Sequence, residues 1–231
     1  DSMDGDITDW SRFERLTPFR VRDVLLVASQ FDRYLLEESG YLAEILQEEY
    51  SVLNLSQAPR IIHSPDADDA LDLLAYRNFD LVITMTKVGT MDAYAFARLV
   101  KSRHEGMPVV MLSHNTRELA TLRTGDGIDR IFVWGGDSRI LLSICKLIED
   151  ERNVENDVRD GDVQVILLVE DSRRFYSAYL PLLYTQVVRQ TTRLMGEGGN
   201  LHEKLLRLRA RAKILLASDM EAAKGIIDQY S

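Results

Sequence analysis

Five short apolar runs, separated by longer amphipathic stretches, constrain the fold of this chain more than any other feature of its sequence. Short apolar runs bounded by polar segments are typical of parallel strands buried between helices. The runs cover residues 24–27, 60–63, 81–84, 108–112 and 131–133. Helical patterns follow them at residues 32–50, 66–76, 91–104, 116–122 and 138–151. This alternation predicts an α/β fold with a doubly wound, five-stranded parallel sheet.

A second copy of the same pattern begins after residue 162. Residues 166–171 match residues 24–29 in position and character, and residues 214–223 match residues 61–70. Such self-similarity indicates a repeated structural unit. We therefore predict an incomplete second α/β unit, with a long helical insertion between its two strands. Two strands alone leave an apolar face and an edge uncovered, so we expect either a longer chain or docking on another surface, as in a swapped or dimeric sheet.

The domain boundaries follow from shifts in composition. We expect an N-terminal arm (1–20), a first domain (21–150), a linker (151–162) and the N-terminal half of a second domain (163–231). The segment 151–162 is charged and poor in apolar residues, which favours a linker or a frayed helix end. A run of basic side chains predicts a solvated helix end, and the alternative is that it meets an acidic partner or a phosphate. This run contains Arg207, Arg209, Arg211 and Lys213.

Composition excludes several classes of protein. The net charge of −9 argues against a general nucleic-acid binder, which needs a basic surface to displace counterions from phosphates. Cys145 is the only cysteine, so an intrachain disulfide is impossible, and no cysteine–histidine spacing indicates a zinc site. No apolar run reaches the ~20 residues of a membrane helix. These features predict a cytoplasmic protein without a membrane partner.

Residues 80–93, with the sequence DLVITMTKVGTMDA, resemble the central strand and following loop of the receiver domain of bacterial response regulators. The resemblance covers most of residues 21–150 and implies the flavodoxin-like receiver fold. In that family, the central strand ends in a phospho-accepting aspartate, and an acidic pair after the first strand holds Mg²⁺. A hydroxyl residue and a lysine follow the fourth and fifth strands. Here these positions hold, in the same order, Met85, Ala28 with Ser29, Ser113 and Trp134.

The resemblance implies a receiver that has lost its chemistry. Acyl-phosphate formation needs a carboxylate nucleophile, a hard cation held by oxygen ligands and a cationic side chain. Met85 cannot attack phosphorus and Ala28 offers Mg²⁺ no ligand, so we expect a pseudo-receiver with no catalytic residue and no cofactor. It would act in a two-component phosphorelay by protein contact, through its helical face and the region of Trp134, which we expect to be an exposed anchor for a partner. The implied partners are a sensor kinase, a phosphotransfer or output module, or a second copy of the chain.

The second unit has the acidic pair that the first unit lacks. Glu170 and Asp171 restore an acidic pair directly after a strand, and the resemblance makes them a candidate Mg²⁺ pair in a completed second receiver. The alternative is that Asp171 or Ser172 simply caps the next helix.

Two other functions remain open. Residues 175–184 and 205–214 resemble tandem receiver-like regions that accompany phosphoenolpyruvate synthase or pyruvate phosphate dikinase-like modules. This resemblance implies the regulatory N-terminal region of a phosphotransfer enzyme. The other alternative is a doubly wound domain that binds a nucleotide or flavin at the strand ends, although residues 28–31 carry no glycine fingerprint.

Overall fold

The computed structural model describes residues 14–37, 44, 47–48, 50–51, 58–137, 139–194 and 208–230. Its first part contains five strands, β1 (Asp23–Val27), β2 (Arg60–Ser64), β3 (Leu81–Thr84), β4 (Val109–Ser113) and β5 (Arg130–Val133). The helices among them are α1 (Gln30–Leu36), α2 (Ala67–Tyr76), α3 (Ala93–Arg103) and α4 (Arg139–Gly161). A short hairpin, Lys87–Val88 paired with Met91–Asp92, precedes α3.

The five strands form one parallel sheet in the order β2-β1-β3-β4-β5. This is the strand order of the flavodoxin-like doubly wound fold, so the predicted fold class is confirmed. Every residue of β3 and β4 is buried, because helices cover both faces of the sheet. Alternate strand residues therefore enter two separate cores, with Leu26 and Ile83 on one face and Leu25 and Val82 on the other.

Two predicted helices differ from the structure. The helix predicted at 32–50 begins as α1 and ends at Leu36, and most of residues 38–49 lie outside the described residues. The helix predicted at 116–122 is only a 3₁₀ turn, Glu118–Ala120, with no side chain capping its start. Starting a helix is costly, and this short polar segment has little apolar surface to offset that cost.

The predicted linker at 151–162 is wrong, because α4 continues through it to Gly161. The prediction assumed that the charged side chains of this segment lie in solvent. Instead Asn153 and Asp157 are fully buried. They are tolerated there because each has hydrogen-bond partners from elsewhere in the chain.

The second unit contains β6 (Val165–Val169), α5 (Arg173–Leu194), β7 (Lys213–Ala217) and α6 (Met220–Tyr230). β6 and β7 pair in parallel over their whole length, as the repeat predicts. The long crossover between them matches the predicted helical insertion. None of the helices in the described part of the chain combines the length and apolar character needed to cross a bilayer.

Helix α5 covers the outer edge of the first sheet, at β5. The backbone N–H of Val133 donates to Ser177 Oγ at 3.0 Å, and the Tyr176 hydroxyl donates to the carbonyl of Ile131. The rings of Phe132 and Tyr176 meet edge to face, 5.5 Å apart. An exposed edge strand invites pairing with other chains, and here the second unit blocks it.

A polar face of α4 binds an N-terminal strap, which we define as residues 17–21. The backbone N–H of Thr17 donates to Asp157 at 2.8 Å. Phe19 exchanges two hydrogen bonds with the side chain of Asn153, at 2.9 and 2.8 Å. Alternate strap residues thus meet side chains spaced four apart, because four residues return to the same face of a helix.

The same face of α4 holds the second unit through two buried ion pairs. Arg211 donates two hydrogen bonds to Asp150, at 2.7 and 2.9 Å, and Lys213 lies 2.7 Å from Asp157. Burial alone would lower the pKa of Arg211, but the facing Asp150 carboxylate raises it above its usual range. The predicted solvated helix end is therefore wrong for Arg211 and Lys213, while Arg207 lies outside the described residues.

We expect Arg211→Met to lower the free energy of unfolding by about 3–5 kcal/mol, because it leaves the Asp150 carboxylate buried without its cation. The matched control is Arg159→Met in α4, whose side chain is exposed and should have little effect. Chemical denaturation of both variants measures the difference. Equal stability of the two variants would contradict the role of the buried pair.

We also expect Cys145 to resist alkylation in the folded protein. The thiol is fully buried, and this burial, with the nearby Glu149 carboxylate, raises the pKa of Cys145 to about 12. Little reactive thiolate therefore exists at neutral pH. Iodoacetamide labelling, followed by intact mass across a denaturant series, should track global unfolding. Labelling of the native chain as fast as in denaturant would contradict this.

Candidate functional site

The carboxyl edge of the five-stranded sheet gathers the positions that the receiver resemblance singles out. Met85 N–H donates to the carbonyl of Val27 at 3.0 Å, and Trp134 N–H donates to the carbonyl of Ser113 at 2.8 Å. Ala28 follows β1 at the same edge. The strand ends therefore bring the four positions together, as parallel strands in this topology require.

The side chains at these positions cannot form an acyl phosphate. Met85 is 2% exposed and belongs to the apolar core, and Ala28 is fully buried. Trp134 is partly buried and packs against the same core, so it is not the fully exposed side chain that the sequence predicts. Ser113 is buried, and its hydroxyl accepts the N–H of Asn115 at 3.1 Å. No carboxylate occupies the acceptor position.

The residue after Ala28 has a structural role. Ser29 Oγ accepts the backbone N–H of Asp32 at 3.1 Å and donates to the Asp32 carboxylate at 2.7 Å. Ser29 therefore caps the start of α1. The capping interaction brings a carboxylate to the strand edge from one turn into the helix, rather than from the end of β1.

A polar cleft of about 420 Å³ opens at this edge. Its lining residues carry charges of both signs and several hydrogen-bonding groups. They are Asp32, Thr86, Lys87, Ser113, His114, Asn115 and Glu118. His114 Nδ1 lies 3.7 Å from Asp32 Oδ1, which becomes an ion pair when the imidazole is protonated.

Most of this lining was missed from the sequence. The spacing of Ser29 and Asp32 is typical of a helix start, and this spacing is the sequence signal that could have placed Asp32 near the end of β1. His114 lies beside Asp32 in the cleft wall. Such a cleft can hold a small polar ligand, but it presents no carboxylate from the end of a strand.

The second predicted site, Glu170 with Asp171, follows β6. Glu170 Oε1 accepts the backbone N–H of Ser172 at 2.9 Å, so this carboxylate helps to cap α5. Asp171 is exposed. Among the described residues, no group of three or more histidine, cysteine or acidic side chains is arranged to hold a metal ion. The two carboxylates alone do not provide the six or more oxygen ligands that hard cations prefer, so Mg²⁺ binding stays a prediction.

Several solved structures are similar to part of this chain. No protein-family model and no curated protein matches the sequence. One similar solved structure is the signal receiver domain of an HD domain-containing protein from Pseudomonas fluorescens Pf-5. The two are 24% identical, with a TM-score of 0.42, over 60% of this chain and 94% of the other.

Two further similar structures have lower identities. The chemotaxis response regulator CheY4 of Vibrio cholerae is 19% identical, with a TM-score of 0.41, over 55% of this chain and 98% of its own. A CheY-like receiver domain protein from Methanospirillum hungatei JF-1 is 17% identical, with a TM-score of 0.45, over 58% and 98%. The fold assignment itself rests on the strand order of this chain's own sheet.

We expect Met85→Asp to destabilise the protein by at least about 3 kcal/mol, because it buries an unpaired carboxylate in an apolar core. It should not create a phosphorylation site, since Ala28 and Trp134 still supply neither a Mg²⁺ ligand nor a cation. The control Met85→Leu keeps the volume and should cost less than about 1.5 kcal/mol. Thermal unfolding and intact mass after treatment with acetyl phosphate test both points. A stable, phosphorylated aspartate variant would contradict our account of the site.

Proposed function

We propose that this chain is a signal-transduction protein of the response-regulator type, whose first α/β unit acts by protein contact rather than by accepting a phosphoryl group. The observation that carries the proposal is the burial of Met85 in the apolar core at the acceptor position. A thioether there has no reactive oxygen to form an acyl phosphate. The first unit then keeps its fold because the fold provides a surface that contacts another protein.

We propose a contact surface that differs from the one that the sequence suggested. Helix α4 and the edge of β5 are covered by α5, so they are not free to meet another protein. Helix α1 instead exposes two aromatic side chains, Phe31 (67% exposed) and Tyr34 (71%). Residues three apart lie on one helix face, and exposed aromatic pairs are typical anchors of interfaces. We propose this face as the contact for a sensor kinase, a phosphotransfer protein or an output module in a cytoplasmic phosphorelay.

A magnesium site belongs to the same proposal for the second unit. Glu170 and Asp171 would be two of its ligands, and further oxygen ligands would have to come from outside the described residues. The alternative role in a phosphoenolpyruvate or pyruvate phosphotransfer enzyme rests on the sequence resemblance alone.

A second candidate function is binding of a small ligand, such as a nucleotide or flavin, at the sheet edge. It is favoured by the 420 Å³ cleft, whose walls include Asp32, Lys87 and His114. Ligands of doubly wound folds bind outside the carboxyl ends of the strands, where this cleft lies. Titration with nucleotides and flavin mononucleotide tests it. Loss of binding in Lys87→Ala would place the ligand in this cleft.

The main proposal predicts that the chain does not gain a phosphoryl group from a small acyl-phosphate donor in the presence of Mg²⁺. The physical reason is the missing carboxylate at position 85. Intact mass spectrometry measures the outcome, with an active receiver domain treated in parallel as a positive control. A mass gain that maps to residues 21–150 would overturn the proposal, because phosphorylation would then occur in the first unit.

A further inference from the structure

A second cleft lies beside α3, away from the sheet edge, and shares no lining residue with the first. Its volume is about 570 Å³, within the usual range for small-molecule sites. One wall is the first half of α3, and the other is the loop that follows the 3₁₀ turn. The lining residues are Tyr94, Arg98, Thr121, Arg123, Thr124, Gly125 and Asp126.

The loop that forms this cleft is held firmly on α3. The Tyr94 hydroxyl accepts the N–H of Arg123 at 2.7 Å and donates to the carbonyl of the same residue at 3.0 Å. Gly125 and Ile128 exchange two backbone hydrogen bonds, at 2.8 and 2.9 Å.

A glycine allows the closest approach of the loop to the helix. Gly127 has a φ of +92°, and a Cβ there would lie 2.7 Å from a backbone carbon of Ala97. The cleft is therefore shaped before any ligand arrives, which reduces the entropic cost of binding.

The lining of the cleft carries a net positive charge. The guanidinium groups of Arg98 and Arg123 are exposed, and neither has a hydrogen-bond or ion-pair partner within the described ranges. Asp126 contributes one carboxylate, so two positive charges oppose one negative charge in a chain whose net charge is −9. The Thr124 hydroxyl is a further donor at the rim. An anion can thus gain two cationic partners without breaking an existing ion pair.

We propose that this cleft binds a small molecule carrying a phosphate monoester. The guanidinium fork matches phosphate oxygens in pairs, and two forks match the two charges of a monoester. The limited volume and the acidic remainder of the protein disfavour a long polyanion such as a nucleic acid. The inference is independent of the proposed function, because it concerns neither Met85 nor the sheet edge.

The test is a calorimetric titration of the full chain with phenyl phosphate, and with benzoate and inorganic phosphate as comparison probes. We expect a dissociation constant for phenyl phosphate at or below about 1 mM. Arg98→Gln and Arg123→Gln should each weaken binding at least about tenfold, which corresponds to about 1.4 kcal/mol. The matched control, Arg103→Gln, removes an exposed charge from the end of the same helix, outside the cleft, and should keep the wild-type affinity.

Circular dichroism and thermal unfolding establish that the variants keep the fold. Absence of measurable binding to the wild-type chain would overturn the proposal, as would equal weakening by Arg103→Gln. Loss of binding in Lys87→Gln, with the arginine variants unaffected, would assign the phosphate to the sheet-edge cleft instead and also overturn it. Benzoate binding as tight as phenyl phosphate would show that the ligand class is wrong.

Discussion

Two buried carboxylates on α4 connect the parts of this molecule. The Asp150 carboxylate accepts four hydrogen bonds, two from Arg211, one from the Tyr184 hydroxyl and one from the N–H of Ile214. Oδ2 accepts three of these bonds and Oδ1 accepts one, so both oxygens of the buried carboxylate have partners. Asp157 binds the strap through Thr17 and the second unit through Lys213. Without these partners, the charged side chains of α4 would be buried alone beside the single apolar core that α4 shares with the second unit.

The parts predicted well from the sequence are those in which local pattern and tertiary environment agree. The strands of the first sheet are short apolar runs, and they are buried on both faces. The linker prediction failed because a helix interior and a solvated linker can carry the same charged residues. What distinguishes them is the pairing of Asp157 with Lys213 of the second unit, and local composition does not contain that information. The same pairing overturned the expectation of a solvated basic segment.

At the carboxyl ends of the strands, the sequence predicted the positions of backbone residues better than the directions of their side chains. Met85 and Ser113 lie at the carboxyl ends of β3 and β4, where the receiver resemblance puts them, because the strand order determines which strand ends are neighbours. Trp134 was expected to be exposed, yet it folds back onto the core. Asp32 was missed because its carboxylate reaches the cleft from α1, held by the hydroxyl of Ser29. Side-chain direction depends on such local hydrogen bonds, which residue type alone does not reveal.

The continuity of α4 restricts how this protein can change during evolution. Domains joined by a flexible linker tolerate insertions between them, whereas each residue inserted into an α-helix rotates everything beyond it by about 100°. A single insertion between Asp150 and Asp157 would turn one carboxylate away from its partner while the other stayed in place. Length variation is therefore expected in the surface loops, and the seven-residue separation of these two carboxylates should be kept wherever both basic partners are kept.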